Sequence, residues 1–221
     1  MKKSIILLTK SKKYRNYCIA GIDINNGEWV RIVSNDTNIH YAVKQEDIMY
    51  ENNEEAEIFD IIAIECEKDR KSYYQSENYI FDNAYYWEKI GKATINDVLA
   101  IKPCENRNFI FYDTNKKVAS DYLKTINSDD IYSLMLICPT NVEIIVKQWS
   151  HDEEKKITMN FEYNSNRYRY IPITDEIFNN QHRTKIDGNY SLHYNPILIM
   201  SLGEMYERDK CHYKLIASVL T

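Results

Sequence analysis

A chain of 221 residues that is 44% hydrophobic can bury one large domain or two small ones, which excludes a disordered or fibrous polymer. Its net charge of -5 excludes a polyanion binder held by bulk charge alone. Five cysteines, odd in number and without a C-x-x-C pair, point to neither a disulfide framework nor a zinc site. The apolar run near the amino terminus is too short for a signal peptide, and no stretch approaches transmembrane length, so a soluble cytoplasmic protein is expected.

The charge is unevenly spread. Residues 1 to 34 carry seven cations against Asp23 and Glu28, a local net of +5 that leaves -10 for the remainder. Such a segment is either a solvated basic end or a patch for an anionic partner.

In chain order, residues 4–9 (SIILLT) read as a buried first strand and residues 10–16 (KSKKYRN) as a basic loop. Residues 17–34 (YCIAGIDINNGEWVRIVS) form a predicted β-hairpin around Asn25-Asn26-Gly27, with Gly27 in the left-handed conformation that a three-residue loop needs. In that register Ile22 faces Val30 and Ala20 faces Ile32. Cys18, Ala20, Ile22, Ile24, Val30 and Ile32 then share the core face, and Tyr17, Gly21, Asp23, Trp29 and Arg31 share the other.

After the turn at 35–38, residues 44–49 have room for a helical turn, 51–57 read as an exposed acidic loop, and 59–66 (FDIIAIEC) return to strand. Residues 85–90 (YYWEKI) are a further extended segment. Thr94 with Asp97 marks an N-capped short helix that stops before Pro103, because the residue ahead of proline disfavours helix. Residues 109–112 read as strand and 116–127 as a connecting helix, with a domain boundary near 126–128. The remainder gives two predicted hairpins, 131–138 with 142–149 and 157–163 with 167–173, the second pairing Tyr163 with Tyr168 and Phe161 with Tyr170. Residues 174–180 are a turn or two of helix. A strand at 197–202 stops at a turn around Gly203, and 213–220 is the last strand. Short strands at this spacing with few helices predict sandwich or small-barrel folds, one in residues 1–126 and one in 127–221.

Trp29 and Arg31 lie two apart on one strand and point the same way, beside Gly21, whose missing side chain leaves room for a flat group. A base could stack there while Lys10, Lys12, Lys13 and Arg15 meet phosphates, with Tyr17 alongside. The competing reading covers Trp29 with the rest of its barrel or with the second domain and pairs Arg31 with an acid such as Asp23. Phe161, Tyr163, Tyr168 and Tyr170 read as core. Asp60, Glu65, Glu67 and Lys68 faintly echo the acidic-lysine spacing of metal-dependent nucleases, but the lysine falls on the wrong face of the strand. The five histidines have no metal-ligand spacing, and no nucleophile elbow or glycine-rich phosphate loop occurs.

Three stretches, LTKSKKYRNYCIAGIDINNGEWVRIVS at 8–34, YYWEKIGK at 85–92 and MSLGEMYERDKCHYKLIASVL at 200–220, resemble the bacterial dual OB-containing domain family. The resemblance implies a mainly β fold of two consecutive OB-like barrels packed together, with a few short helices and no catalytic residues to carry over. OB barrels commonly bind single strands or oligosaccharides. The expected function is therefore non-enzymatic recognition of single-stranded DNA or RNA, without cofactor, metal or membrane. The alternative is a protein-interaction or small-ligand-sensing module, and a metal-dependent nuclease is the remote one.

Overall fold

The computed structural model describes residues 1–13, 15–150 and 154–220, so Tyr14 of the basic loop and His151 lie outside the described residues. The fold is mainly β with a few short helices, and its contacts divide it into Met1–Pro103 and Cys104–Thr221.

The first unit holds β1 (Lys2–Lys13), β2 (Asn16–Asp23), β3 (Trp29–Val33), β4 (Asp60–Asp69), β5 (Asn78–Phe81) and β6 (Glu88–Lys92). The order β1-β2-β3-β5-β4 closes on itself because β4 also pairs with β1, and β6 extends the sheet beyond β4. All these pairs are antiparallel except β3 with β5. Closure is possible because β1 is long enough to serve two neighbours, β4 along Lys2 to Ile6 and β2 along Ile5 to Lys13. A bulge between Leu7 and Thr9 bends it between the two, as an inserted residue does. The lysines of the expected basic loop are thus strand residues. Inside the barrel, Ile5, Leu7, Ile19, Val30, Ile32 and Ile62 meet in one core.

The hairpin forms, but not in the register of the expected three-residue loop. Asp23 N–H donates to the Glu28 carbonyl (2.9 Å) and Gly27 N–H to the Asp23 carbonyl (2.9 Å), so the loop spans four residues, 24–27. Asp23 Oδ1 accepts from the Asn25 backbone (3.0 Å) and Asn26 Oδ1 from the Glu28 backbone (3.0 Å), local bonds that favour the longer turn. Gly27 does take φ +70°, as expected. The register pairs Ile22 with Trp29, Gly21 with Val30 and Ile19 with Ile32, which puts Ile22 on the face opposite Val30 and Ile32. Both faces are buried, so the hydrophobic pattern could not choose between registers. The helix α1 (Ile95–Ile101) has the expected cap: Thr94 Oγ1 accepts from Asp97 N–H, and Asp97 Oδ2 from Thr94 N–H (2.7 Å).

The second unit contains β7 (Lys117–Ala119), α2 (Ser120–Leu123), β8 (Leu134–Ile137), β9 (Thr140–Lys147), β10 (Lys156–Tyr163), β11 (Asn166–Pro172), α3 (Glu176–Arg183), β12 (Gly188–Ser191), β13 (Ile197–Tyr206) and β14 (Cys211–Leu220). Its strands form two four-stranded sheets, β11-β10-β9-β12 and β7-β14-β13-β8, linked by a bridge between Ile173 and Ile216. This half is only partly curled rather than a second closed barrel. The expected hairpin across Pro139 does not form, because β8 pairs with β13 while β9 pairs with β10 and β12. The division between units also falls after Pro103 rather than near 126. Residues 104–126 are tied to the second unit by a Cys104–Cys138 disulfide, which no sequence motif marks, and by pairing of β7 with β14. Gly203 sits in a bulge of the continuous β13 rather than in a turn.

The β10–β11 hairpin turns on two residues, Asn164 and Ser165, both at positive φ, and so pairs Phe161 with Tyr168 rather than with Tyr170. Phe161, Tyr163 and Tyr168 are core, with the Phe161 and Tyr168 rings stacked at 5.5 Å. Tyr170 is 53% exposed, because its backbone N–H leaves the ladder for Asn160 Oδ1 (2.8 Å) at a bulge.

The space beside Gly21 belongs to β1. A Cβ built there would stand 2.1 Å from the Ile6 carbonyl oxygen, which no side-chain movement relieves. Gly21→Ala is therefore expected to destabilise the protein by about 2 kcal/mol or more through forced backbone displacement, read as a lower urea midpoint. An unchanged midpoint would mean that β1 and β2 do not approach this closely.

Candidate nucleic-acid interface

The pairing of β1 with β2 carries four of the seven expected contact residues to one end of the barrel. Lys12 lies opposite Tyr17 and Lys13 opposite Asn16, with Arg15 in the connection. Lys12 and Arg15 are exposed. Lys13 is half-buried and its Nζ donates to the His40 carbonyl (2.6 Å). Tyr17 packs against the barrel core, and its backbone exchanges hydrogen bonds with Val43 (2.8 and 2.9 Å). Lys10 is placed differently. Its ammonium group pairs with Glu55 (3.0 Å) and donates to the Ala56 carbonyl (2.9 Å), which ties β1 to the acidic loop.

Trp29 and Arg31 do not join that group. Trp29 pairs with Ile22, five residues along β2 from Tyr17 and so roughly 17 Å away, and on the opposite face of the sheet. It is half-buried beneath Lys102, whose Nζ lies 5.6 Å from the indole centre. Arg31 is buried, with Nε and Nη2 donating to Glu77 Oε1 (3.3 and 3.2 Å) while Glu77 is itself buried. Its partner is thus Glu77 rather than Asp23. Parallel pairing of β3 with β5 brings that acid close, a contact between distant segments that the local sequence does not announce.

The carboxylates of the nuclease-like echo are not gathered either. Asp60 is fully buried, with Oδ2 accepting from Tyr50 Oη (2.8 Å) and the Glu57 backbone (3.0 Å), and Lys89 Nζ 2.8 Å from Oδ1. Burial alone would raise its carboxyl pKa, but these partners overcome that and hold it below the usual range. The Tyr50 phenol, desolvated and donating to this carboxylate, is pushed far above its ordinary value and stays neutral. Among the described residues no group of three or more histidine, cysteine, aspartate or glutamate side chains could hold a metal ion.

A cleft of about 670 Å³ in the second unit was not foreseen from sequence, since only β7–β14 pairing brings its walls together. Lys116, Lys117, Tyr122 and Tyr213 line it. Most of its charge is already matched. Lys117 Nζ lies 2.8 Å from Asp209, which also accepts from Tyr213 Oη (2.7 Å), and the fully buried Lys214 donates to Asp113 (2.7 Å). Burial lowers the Lys214 pKa, and Asp113 opposes that shift. Lys116 is the exposed cation at the rim, 5.0 Å from the Tyr170 ring centre.

Comparison with known proteins gives no match to a curated protein or to a solved structure. A family model described as the Dual OB-containing domain matches residues 3–219, almost the entire chain and both compact units. The closed five-stranded barrel of the first unit is the kind of small Greek-key barrel that this description calls for. The chain belongs to the Dual OB-containing domain family.

Proposed function

We propose that this protein is a non-enzymatic dual OB-fold protein that binds single-stranded DNA or RNA, with its phosphate contacts at the β1–β2 end of the first barrel. The observation that carries this reading is the position of Lys12, Lys13 and Arg15, cations of a net-negative chain that lie together at the tip joining the first two strands. OB barrels receive strands on the face of their second and third strands and on the loops beside it, the first connection included. In this protein the middle of the outer face of β2 and β3 is closed, since Ala20 and Ile22 have no exposed surface and Arg31 is buried with Glu77. The basic connection is open to a polyanion, since Lys12 and Arg15 are exposed. Lys10 and Arg31 serve the barrel itself, and Trp29 stands apart from the tip.

Replacing Lys12 and Lys13 together by alanine is expected to weaken oligonucleotide binding and to reduce the slope of log affinity against log salt by about one to two. Filter binding or anisotropy across a salt series measures both. A parent protein that binds no single strand even at low salt rejects the reading, and a protein or small-ligand interface then takes its place.

Arg31→Ala is expected to act differently. Removing one member of this buried pair costs about 3 to 5 kcal/mol of stability in urea unfolding, while the salt slope of the folded protein stays at the parent value. A lost slope with unchanged stability would return Arg31 to the binding surface.

A further inference from the structure

The structure assigns a second binding site, a tyrosine-lined acidic cavity in the first unit that takes the guanidinium group of an arginine presented by a basic peptide segment of a partner protein. The cavity has a volume of about 720 Å³ between the segment after Tyr50 and the start of β6. Tyr50 and Trp87 form its inner wall, joined by a parallel bridge, and Tyr85 and Tyr86 stand at its mouth. Tyr85 is 59% exposed and Tyr86 67%, so two adjacent large rings face solvent without contributing to the core. Trp87 is 2% exposed, and its indole N–H has no hydrogen-bond partner among the described residues.

The charges around these rings decide what kind of ligand fits. Glu51, Glu54, Glu88 and Lys89 also line the cavity. Lys89 is matched by Asp60 (2.8 Å) and Glu88 by Lys2 (3.0 Å). Glu51 and Glu54 have no ion-pair partner among the described residues, which leaves the cavity with uncompensated negative charge. An anion is repelled, and a neutral apolar group gains nothing from the carboxylates. A planar cation gains from both features, stacking on tyrosine faces and accepting carboxylate hydrogen bonds in a fork. The protein already uses this pairing nearby, where Lys89 Nζ lies 5.9 Å from the Tyr50 ring centre while bound to Asp60.

The test is an NMR titration of the whole protein with a short acetylated and amidated Gly-Arg-Gly peptide, and with the same peptide carrying citrulline, a neutral isostere of arginine. The arginine peptide should shift the Trp87 indole N–H and the Tyr85 and Tyr86 backbone signals, and bind about tenfold more tightly than the citrulline peptide. Tyr85→Ala with Tyr86→Ala should abolish the shifts, whereas the paired phenylalanine variants, which keep the ring faces, should retain them. Glu51→Gln with Glu54→Gln should weaken binding several-fold. Because all four side chains are at the surface, these variants are expected to melt with the parent, and Lys12→Ala with Lys13→Ala should leave this binding unchanged. Equal binding of the citrulline peptide, shifts confined to other residues, or no shift up to about 10 mM peptide would overturn the proposal.

Discussion

The first barrel hangs on one strand having two partners. β1 gives its first half to β4 and the rest to β2, and without both ladders the sheet has two open edges instead of a closed wall. The bulge at Leu7 to Thr9 supplies the bend, and Gly21, paired with Leu7 beside that bulge, lets β2 approach the Ile6 carbonyl. The hairpin register is set separately, by the four-residue loop at 24–27, which places Ile22 opposite Trp29 while both faces of the sheet are buried.

Folding takes several charged groups out of water, and the ones that matter here are matched by partners. Arg31 meets Glu77, Asp60 meets Lys89 and Tyr50, and Lys214 in the second unit meets Asp113. Asp60 has a folded-state pKa below its unfolded value, so its contribution to stability is present at neutral pH. That contribution disappears as pH falls through the depressed folded value. These pairs are costly to break and remove their members from the list of residues free to meet a ligand.

On the first unit the β1–β2 tip gathers cations, while the cavity at Tyr85 and Tyr86 gathers carboxylates and aromatic rings. Under the two proposals, partners of opposite sign meet different regions of one small barrel and do not compete for contacts.

By itself the sequence determined the β character, the αL glycine at 27 and the capping box at Thr94, because each is written in residues close together in the chain, and the family through three stretches spread from end to end. The burial of Phe161, Tyr163 and Tyr168 was legible for the same reason. The site was legible only in part. Lys12, Lys13 and Arg15 could be grouped from their adjacency, but the fate of Trp29 and Arg31 depended on Lys102 and Glu77, residues 73 and 46 positions away that only helix α1 and the parallel β3–β5 pair bring near. The partly curled second unit, the Cys104–Cys138 bond and the split of β8 from β9 were likewise decided by tertiary structure. Strand partners are chosen by which distant edges can pair while every backbone group is satisfied, and local periodicity carries no record of that choice.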